Sequence, residues 1–479
     1  MKRVALAFAA LASLAACPLE DARFGAPCEG ADDCGSDYVC SSGACVPAHL
    51  LSKGDAGPED GGVVEDGGVV EDGGVVEDGG VVDPDAGVVD PDGGPQRLLA
   101  TDAGRAFGLS VAVDGDTALV GADNHAEIFR LAGGGWEHQQ DLIPSAPDVT
   151  YFGNAAALAA GTAVVAAYTS PVSGVAGAGS VFVFQASTGV FAETHVVSAP
   201  TLIEHQHFGA SVALSADGLV LAVGAPDDEE GALQPGSVLV FRRGATDQLF
   251  TFSQRLLASA PQDRVRYGEI IAISEDGALI AVAATQEDET PGTASRGVVR
   301  VYTWDGTAFT DERFLGFPTA GNAGTFGWSL SMSGLLAGEP RLLIGSNEHF
   351  NTGAAFVYLR DSLGSWTLED TLEAPPDVAA FAADEFGASV ALRGSIAVVG
   401  AAPRFARIYP ERPGAAYVFT RVGDVWQPER RLDPGPLGDV DLFGHAVALD
   451  DSGTRILVGA PGTQQNATAE VGVAWAFFR

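Results

Sequence analysis

Few residues in this sequence have a type and spacing that could do chemistry. His205 and His207 place two imidazoles on one side of an extended segment, which is one way to begin a metal site. Acidic residues recur in short groups such as Asp114-Gly115-Asp116 and Asp450-Asp451-Ser452-Gly453. Calcium takes about six to eight oxygen ligands, so we interpret these groups as hairpin turns and the histidines as surface loop residues. Ser, His and Asp are otherwise scattered, and we expect no enzyme, no metal and no other cofactor.

The charge of the chain excludes one class of partner. Its 63 acidic and 26 basic residues give a formal net charge of -37, which repels phosphate backbones, so we expect no nucleic acid binding. The charge is also uneven, because residues 18–95 contain 19 acidic and only 2 basic side chains. The N-terminal part is therefore far more acidic per residue than the remainder.

The first residues are typical of an export signal. Lys2 and Arg3 precede an apolar stretch, Val4 to Ser13, that is too short to cross a bilayer. The following Leu14-Ala15-Ala16-Cys17 resembles the bacterial lipobox, which implies that residues 1–16 are removed and that Cys17 is lipidated and anchors the chain in a lipid bilayer. Pro18 instead of Asp implies, by the same resemblance, an outer-membrane lipoprotein, either periplasmic or exposed on the cell surface. Ordinary signal cleavage nearby is the alternative, and it leaves an odd cysteine.

Four further cysteines predict a small disulfide-rich module in residues 17–48. Cys28, Cys34, Cys40 and Cys45 lie within 18 residues among Gly, Asp and Ser. An exported chain passes through an oxidising compartment, so we expect two disulfides, in any of three connectivities. A zinc site is the alternative, although the usual C-x₂-C spacing is missing.

Residues 49–95 are predicted to be an acidic, low-complexity and disordered linker. Val-Val-Glu-Asp-Gly-Gly occurs three times in succession and then changes into Val-Val-Asp-Pro-Asp variants. A calcium-binding β-roll needs a nine-residue Gly-Gly-x-Gly-x-Asp pattern, which is absent. Paired glycines and clustered like charges favour a self-repelling stalk.

The rest of the chain, residues 96–479, is built from a repeat. An aromatic-Gly pair recurs seven times at intervals of 45 to 60 residues. The pairs are Phe107-Gly108, Phe152-Gly153, Phe208-Gly209, Tyr267-Gly268, Phe326-Gly327, Phe386-Gly387 and Phe443-Gly444. Each pair precedes about four strand-like runs, the second of which ends in a motif such as Gly224-Ala225-Pro226. We expect the aromatic side chain to wedge between neighbouring units and the glycine to allow close backbone approach.

This pattern predicts an all-β fold, a seven-bladed β-propeller of four-stranded antiparallel blades. The last unit ends at Arg479 after its third strand, whereas Gln96-Arg97-Leu98-Leu99-Ala100 matches fourth strands such as Gln254-Arg255-Leu256-Leu257-Ala258. We therefore expect the N-terminal strand to complete the last blade and close the ring.

These motifs resemble the FG-GAP repeats of integrin α-subunit propellers, and more closely the short FG-GAP repeats of bacterial surface proteins. The resemblance implies the propeller fold for residues 96–479. Integrin-type repeats often carry an Asp-x-Asp-x-Asp-Gly calcium loop between their first two strands. That interval is contracted here, as at Ala216-Asp217-Gly218 and Glu275-Asp276-Gly277, so the calcium of the wider family is not expected.

The long connections predict where a partner binds. Strand alternation places the second-to-third and fourth-to-first connections on one face, and among them Pro226 to Pro235, Thr285 to Arg296 and Ala402 to Pro413 are long. The last contains an Arg and aromatic cluster with interface character, namely Arg404, Phe405, Arg407, Tyr409 and Arg412. These arginines either contact a partner or neutralise acidic loops of their own ring.

We expect a cell-envelope lipoprotein, monomeric and non-catalytic, that presents the propeller as a protein- or glycan-binding module for adhesion or interaction. A structural envelope component without a ligand is the alternative, and a propeller enzyme is a weaker one. The first strands, such as Ser211 to Ser215, carry mostly Ser, Ala, Val and Leu rather than groups that do chemistry.

Overall fold

The protein is made of β-strands joined by turns and connections. The computed structural model describes residues 38–41, 44–47, 94–101, 105–258, 261–287, 296–318, 325–334, 339–348, 352–375, 385–402, 414–432, 442–462, 464–465 and 469–479. The chain divides into two units, residues 1–80 and residues 81–479. In the first unit, strands β1 (Tyr38–Ser41) and β2 (Ala44–Pro47) form an antiparallel hairpin whose register places Cys40 opposite Cys45.

The second unit opens with β3 (Gln96–Leu98) and continues with four-stranded antiparallel sheets, which we number as blades in chain order. Blade 1 contains β4 (Arg105–Asp114), β5 (Thr117–Asp123), β6 (His125–Ala132) and β7 (Gly135–Asp141). Blade 2 contains β8 (Phe152–Ala159), β9 (Thr162–Ala167), β10 (Ser180–Ser187) and β11 (Val190–Val197). Blade 3 contains β12 (Ser211–Leu214), β13 (Val220–Ala225), β14 (Ser237–Arg242) and β15 (Thr251–Leu256).

The remaining blades have the same strand order. Blade 4 contains β16 (Ile270–Ile273), β17 (Leu279–Ala284), β18 (Val298–Trp304) and β19 (Phe309–Leu315). Blade 5 contains β20 (Ser329–Ser333), β21 (Arg341–Ser346), β22 (Ala354–Arg360) and β23 (Trp366–Leu372). Blade 6 contains β24 (Phe386–Arg393), β25 (Ile396–Ala401), β26 (Ala415–Val422) and β27 (Val425–Leu432).

Blade 7 takes its strands from both ends of this unit. It contains β28 (Ala446–Leu449), β29 (Arg455–Ala460) and β32 (Val473–Phe478), while β30 (Gln464–Gln465) and β31 (Ala469–Glu470) pair with each other. Its fourth strand is β3, antiparallel to β32, with Arg97 opposite Trp475 and Leu98 opposite Ala474. The predicted seven-bladed propeller, closed by the N-terminal strand, is confirmed.

The hydrophobic core lies between the blades. The described residues form seven buried clusters, and each is shared by two neighbouring blades, including blades 7 and 1. The second strand of blades 2 to 6 is buried at every position, which explains its mostly apolar sequence. All seven aromatic residues of the repeated pairs are 0–1% exposed, so they occupy the interblade position expected for them.

Glycines allow neighbouring blades to touch through their backbones. In blade 3, a Cβ on Gly224 would lie 1.9 Å from the carbonyl oxygen of Gly268, the glycine of the next aromatic-Gly pair. Gly268 itself has a φ of +89°, and a Cβ there would lie 2.4 Å from the Ser237 carbonyl oxygen. The carbonyl of Gly268 also accepts a hydrogen bond of 2.8 Å from Ser211 Oγ. The two repeated motifs are therefore the two sides of one interblade joint.

Candidate functional site

The two faces of the ring differ in the length of their connections. Strand alternation puts the second-to-third and fourth-to-first connections on one face, which we term the long-loop face. Six of the seven second-to-third connections contain seven or more residues. Among the fourth-to-first connections, the one between β11 and β12 and the one between β15 and β16 each contain 13 residues. The opposite face carries turns of two to eight residues. The long-loop face therefore offers more surface for a ligand.

The central channel is lined mainly by small and aliphatic side chains of the first strands. All seven blades contribute, with residues such as Val111, Ala156 and Leu330. Glu269, Trp328 and His445 line its part next to the aromatic-Gly pairs. The expected Ser, Ala, Val and Leu lining is thus present over most of the channel.

On the long-loop face, an ion-pair network shapes the second-to-third connection of blade 3. Arg255 on β15 lies 2.9 Å from Asp228 Oδ2 and 2.7 Å from Glu230 Oε2. Its guanidinium also donates to the Glu229 carbonyl oxygen at 2.8 Å. The Asp228 side chain is only 6% exposed, and Arg255 supplies the opposite charge that a buried carboxylate requires.

A pocket of about 320 Å³ lies beside this network. The residues between β11 and β12, among them Ile203 and Gln206, form one wall, and Leu239 and Phe252 of blade 3 form another. Gln206 is 1% exposed, and its Nε2 has no hydrogen-bond partner among the described residues. Phe252 is 45% exposed. The pocket therefore combines an unused buried donor, a charged wall and an accessible aromatic ring.

The predicted histidine pair belongs to the long-loop face as well. The imidazoles of His205 and His207 lie 6.0 Å apart, and His207 Nδ1 lies 2.6 Å from Asp227 Oδ2. This hydrogen bond lowers the pKa of the Asp227 carboxyl, a shift that burial opposes. His205 is 65% exposed, as expected for a surface loop residue.

The short acidic groups between first and second strands form turns. Asp217 Oδ1 accepts hydrogen bonds from the Leu219 N–H at 2.9 Å and from Ser215 Oγ at 2.6 Å. Asp450 Oδ1 accepts from two backbone N–H groups of its own turn, at 2.8 and 2.9 Å. These carboxylates therefore stabilise their own turns, which agrees with the interpretation from the sequence.

A second polar cluster, in blade 1, was missed by the sequence reasoning. It consists of His125 and Glu127 on β6 and His138 and Asp141 on β7. His125 Nε2 lies 2.8 Å from Glu127 Oε1, and His138 Nε2 lies 2.9 Å from Asp141 Oδ1. The Glu127 side chain is fully buried. One signal in the sequence was Glu127 itself, because the equivalent position on the third strand is apolar in most of the other blades.

Several predicted residues lie outside the described part of the chain. These are Cys17, Cys28 and Cys34 and the cluster Arg404, Phe405, Arg407, Tyr409 and Arg412. Their predicted roles therefore stay predictions. No helix among the described residues is long and apolar enough to cross a membrane.

A comparison with protein-family models finds one match within the propeller. The family model of the FG-GAP repeat matches residues 366–419, from β23 of blade 5 into β26 of blade 6. The chain is therefore a seven-bladed β-propeller protein that carries an FG-GAP repeat, as the resemblance in its sequence predicted.

The solved structures that are similar to the chain include the following two. A putative 6-phosphogluconolactonase from Bacteroides fragilis is 12% identical, with a TM-score of 0.45 over 70% of this chain and 84% of that protein. The RRP9 WD40 repeats are 10% identical, with a TM-score of 0.47 over 80% of this chain and all of that one. No curated protein matches the chain. We draw no functional conclusion from either structure.

Proposed function

We propose that this protein is a non-catalytic binding module held at the cell envelope by a lipid anchor, and that its propeller binds a glycan through the long-loop face. A propeller with an FG-GAP repeat suggests a binding or interaction module, and the blade-3 pocket favours a saccharide over a protein surface. A small-molecule ligand would need a concave site of about 300–1,000 Å³, and the pocket of about 320 Å³ falls within that range.

The observation that carries this proposal is the composition of the pocket. Sugar hydroxyls both donate and accept hydrogen bonds, and they suit the Gln206 amide and the exposed Glu229 carboxylate. The C–H face of a sugar ring is apolar enough to pack on an exposed aromatic ring such as Phe252. Filling the pocket would also give Gln206 Nε2 the acceptor that it lacks among the described residues.

The lining of the channel supports a non-catalytic role. Chemistry in a propeller needs inward polar groups that converge on a substrate, whereas the first strands contribute mostly Ser, Ala, Val and Leu. The Arg404, Phe405, Arg407, Tyr409 and Arg412 cluster belongs to a connection on the same long-loop face, and we propose it as a contact for a larger partner.

A glycan array probed with the purified full chain tests the binding proposal. We expect a defined saccharide class to bind, with loss of at least about tenfold in affinity for Phe252→Ala or Gln206→Leu, because each removes a principal contact. Leu363→Ala is the matched control, since Leu363 is 90% exposed in a turn between β22 and β23 on the opposite face. Binding that is equal in all four proteins, or no saccharide bound by the wild type, would refute the glycan site.

The lipid anchor is proposed from the lipobox-like Leu14-Ala15-Ala16-Cys17. Multiple acyl chains on Cys17, at about 0.8 kcal/mol per buried CH₂, would hold the chain firmly at a bilayer. Labelled palmitate should enter the protein, and Cys17→Ser should abolish the label and release the chain from the membrane fraction. Protease treatment of whole cells then distinguishes a surface location from a periplasmic one. An unlabelled wild-type chain would exclude the anchor.

We further propose that Cys28, Cys34, Cys40 and Cys45 form two disulfides and that residues 49–95 act as a stalk. Non-reducing peptide mapping of the exported protein tests the first point, because free thiols at all four cysteines would contradict it.

A further inference from the structure

We propose that His125, Glu127, His138 and Asp141 form a binding site for a divalent first-row transition metal ion of the zinc type. The site lies in blade 1, next to the segment that follows the ring-closing strand β3. It is separate from the blade-3 pocket and from the turns between first and second strands.

The strand register brings the four side chains together. Glu127 on β6 is directly opposite Asp141 on β7, and His125 lies two residues before Glu127 on the same face of the strand. In a regular strand, His138 and Asp141 are three residues apart and would lie on opposite faces. A β-bulge between Ile128 and Phe129 shifts the register, so that His138 pairs with Phe129 and lies on the same face as Asp141. His138 Nε2 accordingly lies 2.9 Å from Asp141 Oδ1 and 3.5 Å from Glu127 Oε2.

The spacing of the ligand atoms suits one ion. The His125, Glu127 and Asp141 ligand atoms all lie within 4.8 Å of one another. A tetrahedral zinc ion with bonds of about 2.0–2.1 Å places its ligand atoms about 3.4 Å apart, so small side-chain rotations would bring these groups to bonding distance. Imidazole nitrogens with carboxylate oxygens suit zinc, whereas calcium would take about six to eight oxygens.

Burial gives independent support for a ligand. Glu127 is 0% exposed, and its Oε2 has no hydrogen-bond partner among the described residues. Apart from the His138 Nε2 contact at 3.5 Å, this buried carboxylate oxygen accepts no hydrogen bond among the described residues, which is unfavourable, and a cation is a ligand that compensates a negative charge there. His138 and Asp141 are 32% and 39% exposed, which leaves the ion a route to the site.

The other blades show that the fold does not require an acid at this position. The register places six residues at the position of Glu127, and all of them are buried. They are Phe182, Leu239, Arg300, Phe356, Tyr417 and Trp475. Only blade 1 has a carboxylate there, and it is the same blade that supplies two histidines and a second carboxylate within reach.

Thr101 connects the site to ring closure. Its backbone N–H donates to Glu127 Oε1 at 2.8 Å, and its hydroxyl lies 3.3 Å from Asp141 Oδ1. Hydrogen bonds of this kind orient carboxylate ligands and tune their affinity for a metal. Because Thr101 follows β3, a bound ion would hold the closing segment of blade 7 to blade 1.

Isothermal titration of the metal-free full chain with zinc chloride tests the proposal. The thiols are blocked beforehand, so that the cysteines do not compete. We expect one equivalent of zinc to bind to the wild type and the Tm to rise with zinc concentration. Asp141→Asn and Glu127→Gln should each weaken binding by at least about tenfold.

His205→Gln is the matched control, because it removes an exposed histidine from the connection between β11 and β12 and should leave the titration unchanged. Asp141→Asn tests the site even if Glu127→Gln fails to fold, since Asp141 is half-exposed. No zinc uptake by the wild type, or equal uptake by the wild type and Asp141→Asn, would overturn the proposal. Neither result depends on whether the blade-3 pocket binds a saccharide.

Discussion

Adding one methyl group where blades 3 and 4 touch should break the hydrogen bond between Ser211 Oγ and the Gly268 carbonyl oxygen. A methyl group forms no hydrogen bond in its place. The perturbation is Gly224→Ala in blade 3, where the new Cβ would lie 1.9 Å from the Gly268 carbonyl oxygen and 2.4 Å from Ser211 Oγ. An ordinary contact needs 3.4 Å or more, so the carbonyl has to retreat by about 1.5 Å. That movement breaks the hydrogen bond of 2.8 Å from Ser211 Oγ.

The magnitude follows from two terms. Overpacking of a rigid interface costs about 1–3 kcal/mol, and loss of a buried hydrogen bond costs about 1 kcal/mol more. Gly224→Ala should therefore lower the free energy of unfolding by about 2–4 kcal/mol, and Ser211→Ala by about 1 kcal/mol. In the double variant the hydrogen bond is lost only once and the hydroxyl clash is relieved. Its cost should therefore be smaller than the sum of the single variants by about 1 kcal/mol or more.

In blades 2 and 4, the native sequence itself replaces both the glycine and the serine of this joint. Ala166 and Ala283 occupy the Gly224 position, and Ala155 and Ile270 occupy the Ser211 position. A Cβ on Gly209, which faces Ala166, would lie 3.3 Å from the Ser180 carbonyl oxygen, whereas the equivalent distance for Gly268 is 2.4 Å, so the backbones approach less closely at this joint. In these two blades, where Ala occupies the Gly224 position, no serine occupies the Ser211 position. This is expected if the serine hydroxyl contributes only when the carbonyl of the facing glycine approaches closely.

The assay is guanidinium unfolding of the full chain, followed by tryptophan fluorescence, with the midpoints compared at a constant m-value. Ala166→Gly is the matched control. It should lower the free energy of unfolding by only about 1–2 kcal/mol, through backbone entropy and a lost buried methyl group. Additive effects of Gly224→Ala and Ser211→Ala within about 0.5 kcal/mol, or a neutral Gly224→Ala, would refute the account of the joint.

Two further predictions concern stability. Burial raises the pKa of Glu369, but hydrogen bonds from Arg341 and Trp426 outweigh this effect and lower the pKa below its usual value. Glu369→Gln should therefore lower the free energy of unfolding by about 2 kcal/mol or more near pH 7. Because the pKa of Glu369 is lower in the folded state, its stabilisation is present above the unfolded pKa and is lost as the pH falls through the folded pKa. Thermal melts between about pH 7 and 3 should therefore show the difference in stability between the wild type and Glu369→Gln becoming smaller. A constant difference, or an equal effect of Glu373→Gln at an exposed position, would contradict this prediction. Leu98→Ala should lower the free energy of unfolding by about 2–4 kcal/mol, measured by thermal or chemical unfolding, because Leu98 is 1% exposed in the cluster that closes the ring. A decrease no larger than that of Leu363→Ala, at an exposed position, would show that ring closure contributes little to stability.

The number of blades and the closing strand could be predicted from the sequence because both depend on local pattern. Seven aromatic-Gly pairs at regular spacing define seven units, and Gln96 to Ala100 resembles the fourth strands that precede the other pairs. Strand propensity and turn chemistry act over a few residues, so they can be recognised without knowledge of the neighbours.

The polar sites were decided by tertiary structure. Glu127 and His138 come together only because a β-bulge changes which face His138 occupies, and Thr101 reaches them only because the ring closes. The blade-3 pocket likewise needs Gln206 from one connection and Phe252 from the outer strand of the next blade. Periodicity in the sequence specifies which residues share a strand, whereas contacts between blades depend on register and packing, which spacing along the chain does not encode.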